Sequence, residues 1–151
     1  MIIKTLKALF QKDLAKLKEE IGLYRDETVI WKTEGDITNS AGNLCLHLIG
    51  NLKAFIGAEL GQSGYVRDRD LEFSATGVSR GELLKRIDET AVVVDSSLDK
   101  VTPEHLEEDY PLIVLEKQMT TGFFLIHLGA HLNYHLGQIN YHRRIFDAPA
   151  E

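Results

Sequence analysis

Cysteine is almost missing from this chain. Cys45 is the only one in 151 residues, which excludes an intramolecular disulfide and suits a buried core thiol. Long apolar runs are missing too: none approaches the roughly 18 residues that suggest a membrane-spanning helix. No charged-then-apolar leader precedes the first amphipathic stretch, so the expected compartment is the cytoplasm. Basic residues are outnumbered, 17 against 23 acidic, for a net charge of −6. That balance argues against nucleic acid as a partner, because phosphates call for a basic stripe. Several catalytic signatures are absent as well. No glutamate sits inside a His-x-x-x-His to act as a metalloprotease base, and no Glu-x-x-His recurs on two helices to bridge a pair of irons. Gly57 to Gly64 lacks the strand–turn–helix setting of a phosphate loop.

What is present is an ordinary globular composition, 44% hydrophobic and 26% charged, of a length that suits one domain over residues 1–151. Its apolar spacing predicts four helices. The first covers about 2 to 24, with Leu6, Leu9, Phe10, Leu14, Leu17, Ile21 and Tyr24 at intervals of three and four. The second runs from about Ser40 to Leu60, capped by Asn39 or Ser40, with Leu44, Leu48, Leu52 and Phe55 on its apolar face. Ser79-Arg80-Gly81-Glu82 matches a capping box that opens a third helix to about Leu98. The fourth covers about Gln118 to Phe146, and its glycines at 122, 129 and 137 would let a neighbouring helix approach. Between the first two helices, Trp31 is expected to anchor a polar connection. Gly61 to Val78 reads as a surface loop with a binding role. Thr102-Pro103 and Tyr110-Pro111 break a second connection, and Leu112 to Leu115 reads as an extended stretch or the approach to the last helix. The expected fold class is all-α, a four-helix bundle with two long connections and no membrane span.

Four of the six histidines lie between 127 and 142. Residues four apart stack on one helix face at ~3.6 residues per turn, so His127, His131 and His135 form a ladder and His142 falls back towards it. Imidazole is a common ligand of divalent metals, which makes such a ladder in an apolar helix a candidate metal site. Asn43, His47 and Asn51 make a matching polar stripe on the second helix. Facing stripes would bring His47, His131 and His135 onto one ion, although spacing alone does not choose which three histidines bind. Three imidazoles with vacant positions fit a catalytic rather than a structural zinc site. His105 reads as exposed, and His142, beside Arg143 and Arg144, as a cation at a helix end.

The block His47-Leu-Ile-Gly-Asn51-Leu52 and the block His127 through Gln138, with its trailing Gly137-Gln138, resemble the two motifs of the DinB-like superfamily, which includes bacterial thiol-dependent S-transferases. Length and helix order agree along the whole chain. Where that family has Arg-Gly-Gln after the last ligand, this chain has Leu136-Gly137-Gln138, a change outside the ligand set. The resemblance implies His47, His131 and His135 as ligands of zinc, nickel, iron or manganese, with His127 beside them. It implies homodimers, and a reaction in which a low-molecular-weight thiol such as bacillithiol attacks an electrophile. Asn51, His127, Tyr134 and Gln138 are then expected to orient ligands or substrate. Two other functions compete: a non-catalytic, stress-associated metal-binding dimer, and a metal-assisted hydrolase.

Overall fold

The computed structural model of the chain describes residues 1–150. It is all-α, with six α-helices and no strand among the described residues. Helix α1 (Ile2–Gly22) buries Leu6, Phe10, Leu14, Leu17 and Ile21 on the face their spacing predicts. Helix α2 (Ala41–Leu52) begins where Ser40 Oγ accepts the Asn43 N–H at 3.1 Å. All twelve of its residues are buried, so the single apolar stripe expected for it is too narrow. The reason is its central position: short helix α3 (Arg69–Ser74), α4 (Arg80–Leu98) and α6 (Thr121–Phe146) all pack on it, together with a 3-10 turn at Glu27–Trp31. Helix α1 lies against α4 and α6. The Trp31 ring closes over Gly42, where a Cβ would come within 2.6 Å of it.

The second helix does not continue to Leu60 in α-helical form. Lys53–Ala58 widen into a π turn, with the Glu59 N–H reaching back five residues to Ala54 O at 3.2 Å. The Leu60 N–H returns to Ile56 O, so the Phe55 carbonyl is skipped. Tyr110 supplies the missing donor, its hydroxyl 2.6 Å from Phe55 O. A skipped carbonyl is the mark of an inserted residue in a helix, and here the rest of the fold satisfies it.

Four other local expectations change. The Gly61 to Val78 segment is not only a surface loop: Asp68 caps α3 within it, and Glu72 of that helix is buried. The box at Ser79 is half-formed, because Glu82 turns away to Arg86 at 2.8 Å, while a full box forms at Thr102 and His105 to start helix α5 (Pro103–Glu107). Leu112 to Leu115 lead into a tight turn closed between Val114 and Lys117. His142 is no solvated terminal cation. It is 4% exposed, with Nδ1 2.7 Å from the Tyr24 hydroxyl and Nε2 2.8 Å from Lys32 O. The carbonyl can only accept, so Nε2 carries a proton, and burial holds the pKa of the ring below its usual value, which favours the neutral form. Of the three α6 glycines, only Gly122 meets a close neighbour, the Leu106 carbonyl. No described helix is long and apolar enough to cross a membrane.

Candidate metal centre

Helices α2 and α6 run antiparallel and bring His47 against His131 and His135. His47 Nε2 lies 3.2 Å from His131 Nε2, which lies 3.2 Å from His135 Nε2. One nitrogen from each of the three histidines falls within 4.8 Å of the others, a group that could hold a metal ion. The spacing fits a small divalent ion. With metal–nitrogen bonds of about 2.0–2.1 Å, the edge of a tetrahedron is about 3.3–3.4 Å long. The two separations to His131 are therefore within a few tenths of an ångström of that edge.

The outer nitrogens decide whether these lone pairs are free. His47 Nδ1 is 3.1 Å from Glu72 Oε1, and His135 Nδ1 is 2.7 Å from Gln138 Oε1. Both partners are acceptors, so Nδ1 carries the hydrogen in each ring and Nε2 is left with its lone pair. Arg67 also approaches His47 Nδ1, at 3.3 Å, but its guanidinium is committed to Glu72, with Nε at 2.9 Å from Oε2 and Nη2 at 2.8 Å from Oε1. Burial raises the Glu72 pKa, and the hydrogen bonds from Arg67 and His47 more than offset that, leaving it below the ordinary carboxylate value. Glu72 is therefore an anion that touches one candidate ligand from behind. Burial, followed by the neighbouring His135 and His47, pushes the His131 pKa down to about 4. Burial lowers His135 as well. Neutral imidazoles at neutral pH are the form that binds metal.

The remaining expected residues are distributed around this group. His127 is half-buried one turn before His131, its ring stacked between Phe124 and His131 at centroid distances of 5.9 and 6.5 Å, and it is outside the cluster. Tyr134 is 65% exposed and touches the His135 ring edge-on. Asn51 is buried one turn beyond His47. Asn43, the first member of the stripe, faces α3: its amide donates to the Glu72 and Ala75 carbonyls at 2.9 and 2.8 Å. A cavity of about 510 Å³ opens beside His135, walled by Leu44, Tyr134, Gln138, Tyr141 and Ile145. Cys45 is buried, and burial pushes its thiol up to about 12, so it supplies no thiolate here.

Sequence reasoning missed Glu72 and Arg67. A signal for them was present in Asp68, a good N-cap three residues before Leu71, and in Gly50, one turn after His47. A Cβ on Gly50 would lie 2.6 Å from Glu72 Cδ, so the glycine leaves room for the carboxylate.

Residues 2–149 match the model of a family described as protein of unknown function (DUF1572). No curated protein and no solved structure matches the chain.

Proposed function

The chain belongs to the DUF1572 family, and we propose that it is a divalent-metal protein of the DinB-like four-helix-bundle type that acts as a thiol S-transferase. The observation that carries this reading is the convergence of His47, His131 and His135, with His131 Nε2 3.2 Å from Nε2 of each of the other two and one nitrogen of every ring within 4.8 Å of the others. Zinc, nickel and iron suit such an all-imidazole donor set, and manganese, which favours oxygen ligands, suits it less. Once bound, a divalent ion supplies acidity, lowering the pKa of a thiol brought to its vacant positions.

The chain's own residues do the rest. Glu72 and Gln138 hold the His47 and His135 rings with Nε2 inward. Tyr134, Tyr141 and Ile145 wall the cavity that would receive a small thiol such as bacillithiol and its electrophile. In the transfer, the sulfur–carbon bond forms as the electrophile's bond to its leaving group breaks, and the thiol proton passes to solvent. His127 stacks on His131, with the Phe124 ring stacked in turn on His127. A homodimer in the cytoplasm completes the proposal.

The test is elemental analysis of the purified protein beside His47→Ala and His131→Ala, followed by thiol conjugation of a model electrophile. The expected result is about one divalent ion per chain, lost in both variants, with conjugation lost alongside. Folded protein that takes up no metal would refute the reading. A second reading, metal binding without turnover, is favoured by one observation: the carboxylate nearest the cluster, Glu72, is occupied by Arg67 and His47 and is no free base. Metal uptake with no conjugation of any thiol tested would select it. Ester hydrolysis lost on chelation would select a hydrolase instead.

A further inference from the structure

Two buried side-chain atoms lack any hydrogen-bond partner among the described residues, Asn51 Oδ1 and His131 Nδ1. They are complementary. Once His131 Nε2 faces a metal, its Nδ1 must carry the hydrogen, which makes it a buried donor in need of an acceptor. Asn51 Oδ1 is a buried acceptor in need of a donor, on a side chain 6% exposed.

The helix register brings them within about one turn of each other, and the His131 side chain leans back towards the start of its helix, to the level of Asn51. His47 meets His131 with ring centroids 5.0 Å apart, and Phe55, further along the same chain path, meets Phe124 at 5.1 Å. Asn51 lies midway between His47 and Phe55, so it faces the stretch of α6 between Phe124 and His131. The other two rings of the cluster each have an outer acceptor already, Glu72 behind His47 and Gln138 behind His135. His131 is the one without.

We propose that Asn51 is the positioning residue of His131, its Oδ1 accepting the His131 Nδ1–H when the site holds a metal, with a turn of the Asn51 amide or one water closing the gap. The inference rests on the metal-site reading above and completes it: each imidazole is then fixed by an acceptor from a different place in the chain, α3 for His47, α6 for His135 and α2 for His131. It separates Asn51 from substrate binding and gives the polar stripe of α2 three distinct tasks. Asn43 docks α3, His47 faces the cluster, and Asn51 aligns the ring opposite.

The experiment uses zinc as the probe. Competition titrations compare the full chain with Asn51→Leu, which keeps the size and removes the acceptor, and Asn51→Asp, which restores one. Loss of an outer partner typically weakens metal binding by about 10–100-fold. That loss is expected for Asn51→Leu, with near-normal affinity for Asn51→Asp. Long-range ¹H–¹⁵N spectra of the zinc-loaded wild type should show a slowly exchanging, hydrogen-bonded Nδ1–H on His131, moved in Asn51→Asp; this readout stands even if the leucine variant fails to fold. Zinc binding by Asn51→Leu within twofold of wild type, or a fast-exchanging His131 Nδ1–H, would overturn the assignment alone. Wild-type protein that binds no zinc would instead overturn the metal reading beneath it.

Discussion

Replacing Gly50 with alanine should destabilise the protein, although the same change in an open helix would stabilise it. Alanine in place of glycine inside a helix gains about 0.5–1 kcal/mol. At Gly50 the added methyl would sit 2.6 Å from Glu72 Cδ and closer still to Oε2. The carboxylate cannot swing aside freely, because Arg67 holds both its oxygens at 2.8–2.9 Å and His47 Nδ1 lies at 3.1 Å. Losing one such hydrogen bond to a charged group costs about 1.5–3 kcal/mol, leaving a net loss of about 0.5–2.5 kcal/mol after the helical gain. For a chain of this size that is a fall in Tm of about 1–10 °C. Zinc affinity should fall by about 10–100-fold as His47 loses its outer acceptor. Gly137→Ala is the matched control: nothing lies within 4 Å of a Cβ there, so only the propensity gain remains. Urea denaturation and a zinc titration read both variants. A Gly50→Ala protein as stable as Gly137→Ala, with unchanged zinc affinity, would refute the argument that Gly50 exists to admit Glu72.

Acid should weaken the fold partly through His142. Its folded-state pKa is depressed by burial, so the unfolded chain takes up the proton first. Its contribution is complete above the unfolded value of about 6.5 and is lost as pH falls from there towards the folded value. His142→Gln should flatten the decline in urea midpoint between pH 7 and pH 5, and an unchanged slope would discount the neutral buried ring. Arg143→Ala should cost about 3 kcal/mol at neutral pH, the low end for breaking a buried pair, because Glu20, which is 1% exposed and bonded to Arg143 Nε at 2.8 Å, then keeps only the Asn140 amide at 2.8 Å and Lys16 at 3.8 Å. Glu20 has a lowered folded-state pKa, so that penalty should shrink as pH drops through the carboxylate range; a penalty constant from pH 7 to pH 3 would contradict the pairing. Tyr110→Phe should cost about 1–3 kcal/mol by orphaning the Phe55 carbonyl, and a variant of wild-type stability would show that the π turn needs no outside donor.

The parts of this architecture that were legible in the sequence are those governed by a repeat. Three- and four-residue spacing fixes which face of α1 is buried and stacks His131 on His135, whatever the rest of the chain does. What was not legible depends on a single residue or a long reach. Helix α3 is six residues long, too short for a period to show, so Glu72 could not be placed behind His47, 25 positions earlier. The π turn adds one residue to a turn without disturbing the order of apolar residues, and its signature is a missing hydrogen bond that no spacing encodes. His142 was misjudged for a different reason: its neighbours Arg143 and Arg144 suggested a solvated end, while its position three residues after Ile139, on the buried side of α6, carried the correct answer. Where charge and phase disagree near a helix end, phase is the stronger guide, because long basic side chains can reach solvent from a turn whose other face is packed. Arg144 does so here, exposed beside Tyr141, while Arg143 reaches back to Glu20 and His142 turns inward to Tyr24.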